Sequence, residues 1–259
     1  MSKIHPSAVV SSKAKLGENI EVSPYTIIHD DVEIGNDCYI GPYAVLYDGA
    51  RIGNRVTIFQ SVSVAHTPQD ISFKGEYSNF FIGDDTTVHE FATLHRGTKV
   101  TEQSTIGKNC LLMAYAHVAH DCVIGDNCII SNGVQVGGYV RLGDWVTIGG
   151  LTPVHQFCKI GEHAMIGGGF RITQDVPPYI LSAGEPLKFF GVNNVGLRRR
   201  GFSNDEIMLI KKAYSYIYNN SLNISQAKEK ILNEMSSESI YIRKILDFLG
   251  ESKRGLVGK

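Results

Sequence analysis

The chain has 259 residues, 43% of them hydrophobic, with 25 Lys+Arg against 26 Asp+Glu and 27 glycines. That length and apolar content suffice for one large domain or two ordinary ones and exclude disorder over most of the chain. The glycines do not recur at every third residue, which excludes collagen, and no stretch reaches the roughly 18 apolar residues of a membrane span.

At the N-terminus, Met1-Ser2-Lys3-Ile4-His5-Pro6 lacks the apolar run of a secretory signal, so a cytoplasmic protein is expected. Stepping by six from Ile4 meets Val10, Leu16, Val22, Ile28, Ile34, Ile40, Leu46, Ile52, Ile58 and Val64. The same phase resumes at Ile82 and runs through Val88, Leu94, Val100, Ile106, Leu112 and Val118 to Ile172, so that 27 of 29 sixth positions are Ile, Leu or Val. A period of six suits neither a helix nor an alternating strand. It predicts a parallel β-helix, a solenoid of short strands in which three hexads close one coil and successive coils stack at about 4.8 Å. The residue four after each aliphatic is small or apolar too (Ala8, Ala14, Thr26, Val32, Cys38, Ala44), and glycine often follows the aliphatic, as in Ile34-Gly35 and Ile52-Gly53. Cys38, Cys110, Cys122, Cys128 and Cys158 all occupy that second inward position; an odd count without a CxxC pair reads as core filling rather than zinc or disulfide chemistry. Only Asp70 and Glu76 break the series, so residues 65–81 are expected to leave the solenoid as a projecting loop, a common place for ligand contacts.

Coil length converts sequence distance into space. Residues one coil apart stack, which puts His120 beneath Gly138 and Gly138 beneath Gln156, with His155 two coils from His120 on the same edge. His117 and His120-Asp121 flank the inward Val118 and Cys122 at that corner. A neutral imidazole beside a carboxylate suits a general base near neutral pH, and the Gly138 N–H, with no Cβ in the way, suits an oxyanion. After Asp175 the hexads end in Val176-Pro177-Pro178-Tyr179, and a helical pattern is expected from about residue 191. Ser203-Asn204-Asp205-Glu206 is a capping box opening a helix through Tyr218, closed by Asn219-Asn220; further helices are expected at about 225–235 and 238–249. The predicted organisation is a β-helix over residues 1–187 and a small helical domain over 188–259. The first carries 12 Lys+Arg and 19 Asp+Glu, net −7; the second carries 13 and 7, net +6. The near-zero total argues against nucleic-acid binding, while the basic C-terminal part could dock an acidic partner.

The hexads, the segment from Asn109 to Cys122, Val154-His155-Gln156-Phe157-Cys158, Gln174-Asp175-Val176-Pro177-Pro178-Tyr179, Gly196-Leu197-Arg198-Arg199-Arg200-Gly201-Phe202 and the terminal Arg254-Gly255-Leu256 together resemble the UDP-N-acetylglucosamine 3-O-acyltransferase family. The resemblance runs the whole length and implies a left-handed parallel β-helix followed by a C-terminal α-helical domain, a homotrimer, and active sites between subunits. It implies transfer of an (R)-3-hydroxyacyl group from acyl carrier protein to the 3-hydroxyl of UDP-N-acetylglucosamine, the opening step of lipid A biosynthesis. No metal or cofactor is implied, acyl carrier protein being a co-substrate. On the same basis His120 is the base, Asp121 its partner and Gly138 the oxyanion donor. Asp70, His117, His155 and Gln156 then line the sugar and pantetheine cleft, Asn193, Arg199 and Arg200 the nucleotide end, and Gly168 the acyl groove. The chain departs from the family at Tyr139, where His is common, at Ser72, where Lys is, and at Val195, where Glu is.

Three other readings stand beside this one. A sister acyltransferase would act on another amino-sugar nucleotide, and a non-catalytic scaffold would need only the inward aliphatics. A hexapeptide-repeat zinc enzyme would need converging imidazoles. His66 and His120 share an edge but count as three coils apart, roughly 14 Å at strand spacing. His29 falls one residue out of that phase, while His117 and His120 could still form a site completed by a neighbouring subunit.

Overall fold

The computed structural model describes residues 2–235 and 239–258. Within them the hexads form strands of mostly two residues in three sheets of 11, 8 and 8 strands, and each sheet is one face of a triangular prism. The first face holds Glu21–Val22, Tyr39–Ile40, Thr57–Ile58, Thr87–Val88 and Leu111–Leu112; the second holds Val45–Leu46, Ser63–His66, Thr93–His95, His117–Val118, Gln135–Val136 and Pro153–Val154; the third holds Ala50–Ile52, Asn79–Ile82, Gln103–Ile106, Val123–Ile124 and Arg141–Leu142. The coils wind left-handed, against the usual hand of parallel crossovers.

The corners carry that hand. Residues such as Tyr25, Tyr43, Asp121, Tyr139, Trp145, Phe157 and His163 recur at one corner position with φ near +60°. That region disfavours non-glycine residues by about 1–3 kcal/mol each. Stacking one coil onto the next offsets part of this, as in Tyr25–Tyr43 at 5.2 Å and Tyr139–Phe157 at 4.7 Å between ring centroids. At the residue that opens the corner between the third and first faces the coils approach too closely for a side chain: a Cβ on Gly35 would lie 2.6 Å from the Gly53 carbonyl oxygen.

The inward positions are buried from Ile20 onward, and an aliphatic side chain so placed contributes about 1.5–3 kcal/mol. Ile4 stays 46% exposed, because no earlier coil covers the open end. All five cysteines are free and buried. Burial pushes the Cys158 thiol to about 11 and the Cys122 thiol to about 12.

The register corrects the uniform coil. Glu21 pairs with Tyr39 and Tyr39 with Thr57, each eighteen residues on, but Thr57 pairs with Thr87, thirty on, and Thr87 with Leu111, twenty-four on. The first excess is the projecting loop between Ser63–His66 and Asn79–Ile82. The second is a whole hexad between Thr93–His95 and Gln103–Ile106 that folds outside the prism and leaves Val100 64% exposed rather than inward. Because the insertions are multiples of six, the phase survives them and conceals the second. His66 and His120 are consequently two coils apart, not three, along the pairing of Ser63 with Thr93 and Thr93 with His117.

The helical pattern also starts later than residue 191. Ile180–Ala183 and Lys188–Val192 form an antiparallel hairpin that extends the first face. Among the described residues four helices follow: α1 (Asn194–Arg199), α2 (Asn204–Ile217), α3 (Ile224–Glu234) and α4 (Ile240–Glu251); residue 238, where the last was expected to begin, lies outside them. The Ser203–Glu206 capping box opens α2, and a second box, Asn223 with Gln226, opens α3. Tyr214 of α2 is buried and donates to the Pro178 carbonyl at 2.5 Å, while Tyr218 stacks on Phe189 at 4.0 Å. The C-terminal tail is pinned at Asp175, whose buried carboxylate accepts from Lys159 N, Ser252 Oγ, Lys253 N and Arg254 N.

Candidate active site

Val118 and Cys122 point fully inward, which forces the intervening corner residues outward between the second and third faces. His120 Nδ1–H donates to Asp121 Oδ2 at 2.7 Å, and its Nε2 faces Asp70 Oδ2 at 4.0 Å across the projecting loop. The stacking expected from coil length holds at this corner: Tyr139 N donates to His120 O at 3.1 Å, and Phe157 N to Gly138 O at 3.0 Å. A Cβ on Gly138 would sit 2.8 Å from His120 Cε1 and 2.9 Å from Nε2, so glycine is what lets the imidazole lie against the next coil. Gly137 N and Tyr139 N are spent on Val154 O and His120 O, whereas no partner to the Gly138 N–H occurs among the described residues. An imidazole edge and an unpartnered amide thus adjoin one another.

The electrostatics polarise the pair. Burial alone would raise the Asp121 pKa, but hydrogen bonds from His120, Thr101 and Thr98 outweigh it and hold the carboxyl below its usual range. An ionised Asp121 keeps the proton on Nδ1 and leaves the Nε2 lone pair available. Asp70 is held low mainly by the Ser72 N–H, which donates to its Oδ1 at 2.8 Å. His117 bonds Thr93 Oγ1 through Nδ1 at 2.8 Å, and burial lowers its pKa. His155 and Gln156 lie exposed on the same edge one coil beyond Gly138. Tyr139 packs edge-on to His120 with ring centroids 5.2 Å apart.

Gly168 does not join this group. It lies at the corner between the first and second faces, where a Cβ would approach the Gly150 carbonyl oxygen to 3.0 Å. Asn193, Arg199 and Arg200 form a second group at the corner between the third and first faces. They line a cleft of about 710 Å³ together with Trp145, Thr147 and Met165; Val195 lies in its wall. Asn193 caps α1 by accepting from Gly196 N and donates to the His163 carbonyl at 3.0 Å. The Arg200 guanidinium bonds His163 Nδ1 at 3.2 Å and lies over the Trp145 ring at 5.1 Å. Burial and the Arg200 charge push His163 down to about 4, so its neutral Nδ1 accepts.

Sequence reasoning missed Thr98 and Thr101, hidden in the in-phase insertion, and Trp145 and His163, which only the recurrence of large residues at the corner position could have flagged. The zinc reading depended on histidine convergence. The His66, His95 and His117 rings do approach, with centroids 5.7 and 5.0 Å apart, yet no group of three His, Cys, Asp or Glu side chains arranged to hold a metal occurs among the described residues.

Residues 175–257 match the family model described as UDP N-acetylglucosamine O-acyltransferase, domain 2, and residues 31–58 and 103–138 match the bacterial transferase hexapeptide model. The acyl-(acyl-carrier-protein)–UDP-N-acetylglucosamine O-acyltransferase of a Sulfurihydrogenibium species is 52% identical, covering 99% of this chain and 94% of that protein. The enzyme of the same name from Halorhodospira halophila is 43% identical over 99% of this chain and all of its own. Among solved structures, the UDP-N-acetylglucosamine acyltransferase of Francisella novicida superimposes with a TM-score of 0.96 at 34% identity, covering 99% of this chain and 94% of that one. That of Campylobacter jejuni gives 0.93 at 37%, covering 99% and 100%.

Proposed function

The chain belongs to the acyl-(acyl-carrier-protein)–UDP-N-acetylglucosamine O-acyltransferase family, and from that premise we propose how its corner residues carry out the transfer. The enzyme moves an acyl group from acyl carrier protein to UDP-N-acetylglucosamine, the first step of lipid A biosynthesis. We assign the acceptor atom to the sugar 3-hydroxyl and the donor to an (R)-3-hydroxyacyl thioester. His120 Nε2 takes the hydroxyl proton as the oxygen attacks the thioester carbonyl, and the Gly138 N–H donates to the oxyanion. The C–S bond then breaks, the imidazolium returns its proton to the departing sulfur, and no acyl-enzyme forms. Asp121 stabilises the transient imidazolium, and Asp70 holds the sugar beside Nε2.

The observation that carries this reading is the imidazole anchored through Nδ1 to a buried carboxylate, with its free nitrogen beside an unpartnered backbone N–H. A positioned base contributes about 10²–10⁴-fold, so His120→Ala is expected to lose that much in a transfer assay with UDP-N-acetylglucosamine and a panel of hydroxyacyl carrier proteins. Full activity in the mutant would remove His120 from the mechanism.

The family's homotrimer belongs to the same proposal. The His120 group and the Asn193–Arg200 group lie at different corners of one prism, with the third face between them, so a single site using both would draw on two chains. A ridge of exposed large residues along the corner between the first and second faces, including Tyr25, Tyr43, Phe91, Tyr115 and Leu151, is apolar surface that a second copy would cover. Arg199 and Arg200 would then meet the diphosphate, for which a guanidinium fork is suited, and the basic C-terminal helices would speed encounter with the acidic carrier in a salt-dependent way. No helix among the described residues is long and apolar enough to cross a membrane. We place the reaction in the cytoplasm.

A further inference from the structure

The hexad at residues 97–102 gives up an inward aliphatic, since Val100 is exposed, and folds over the catalytic corner instead. Its contacts converge on one carboxylate. Asp121 Oδ1 accepts from the Thr98 N–H at 3.1 Å and from the Thr101 hydroxyl, while Oδ2 is left to His120. The single Thr101 proton has a second acceptor within reach, the Gln103 carbonyl at 2.8 Å, but the ionised carboxylate is the stronger acceptor. The Asp121 side chain is wholly buried, so without these donors one oxygen of a buried anion would have no partner. The same excursion grips the projecting loop: Lys99 N donates to Glu76 Oε1 at 3.2 Å, and the Arg96 guanidinium lies over the Phe73 ring at 5.6 Å. One short segment therefore touches both the partner of the base and the loop that brings Asp70.

We propose that Thr98 and Thr101 are positioning residues for the reaction: by occupying Oδ1 they fix the Asp121 carboxylate so that Oδ2 holds the Nδ1–H of His120 and Nε2 stays open to the substrate hydroxyl. Neither threonine touches the reacting atoms. Thr101 acts by its hydroxyl alone, whereas Thr98 acts chiefly by its backbone N–H, so Thr101 is the one that a side-chain change tests cleanly. This rests on His120 being the base.

Thr101 is exposed as a residue, so losing the hydroxyl leaves the solenoid core untouched. In Thr101→Val, kcat is expected to fall about 10- to 100-fold, less than the loss of the base itself, with KM for both substrates within about twofold. Thr101→Ser, which keeps the O–H, should restore kcat to near the parent value. Nitrogen shifts of ¹⁵N-histidine-labelled protein read the same effect without turnover: the His120 ring should move from a single Nδ1–H tautomer toward a mixture in Thr101→Val and stay in place in Thr101→Ser. A kcat unchanged in Thr101→Val, equal losses in the valine and serine variants, or an unaltered His120 tautomer would each overturn the proposal. His120→Ala, run alongside, separates the two claims. If it retains full activity the base assignment fails, and if it is inactive while Thr101→Val is not, only the positioning role fails.

Discussion

At the scale of single residues, burial decides more than identity. His95, His120 and His163 are chemically alike, yet burial and neighbouring charges push His95 and His163 down to about 4, while His120 has a buried carboxylate on Nδ1. His95 lies between His66 and His117, nearly inaccessible and with no partner on Nδ1 among the described residues. A histidine whose folded pKa lies below its unfolded value near 6.5 contributes stability that is present above about 6.5 and lost as pH falls toward 4, because only the unfolded chain takes up the proton readily. The thermal midpoint is therefore expected to drop between pH 7 and pH 4.5 and to drop less in His95→Gln, with His163 and His117, whose pKa values burial also lowers, contributing to the remainder. Equal losses in parent and variant, measured by circular dichroism melts, would show that His95 does not govern the effect. Gly138 makes the complementary point, since its importance lies in an absent Cβ that would meet the His120 ring at 2.8 Å.

Individual elements show where local pattern suffices and where it fails. The capping box at Ser203 foretells the start of α2 because its two reciprocal hydrogen bonds are local. The Ile180–Ala183 and Lys188–Val192 hairpin was missed because its first strand is placed by pairing with Met165–Ile166 of the last coil, a contact that no hexad pattern in the hairpin itself announces. The tail after α4 is likewise held from outside itself, by three donors of its own, Ser252 Oγ, Lys253 N and Arg254 N, that converge on Asp175, which Lys159 N fixes from the prism side. Asp175→Ala leaves those donors without an acceptor, each worth about 1–3 kcal/mol if it stays buried. The expected result is cleavage of residues after Ser252 in limited proteolysis, at a protease level that spares the parent, with the far-ultraviolet spectrum of the prism retained. Resistance equal to the parent would show that the tail is held elsewhere.

For the whole molecule, the separation of the two residue groups makes assembly part of the chemistry. His120→Ala and Arg200→Ala chains, each inactive alone, are expected to complement when unfolded together and refolded as mixed oligomers. About a quarter of the parent activity should return if every site takes His120 from one chain and Arg200 from another, since both must be intact at once. No recovery, with mixed oligomers verified by native mass spectrometry, would place both groups in a single-chain site.

The solenoid was legible in the chain because a hexad is a local unit: its inward aliphatic at every sixth position and small residue four later are visible without knowing what stacks on what. The stacking of His120, Gly138 and Gln156 followed from the same count, since no insertion interrupts the coils after Gln103. The family resemblance carried the roles of residues that periodicity could not rank. What only the tertiary structure decided were the relations that cross coils by unequal steps. An insertion of one whole hexad preserves the phase, so nothing in the spacing distinguishes Val100 from a core residue, and the contact of Thr98 and Thr101 with Asp121 appears only when the chain is closed in three dimensions. The placing of Asn193 and Arg200 at a different corner from His120 was hidden for the same reason: periodicity specifies which residues share a face, and register specifies which faces meet.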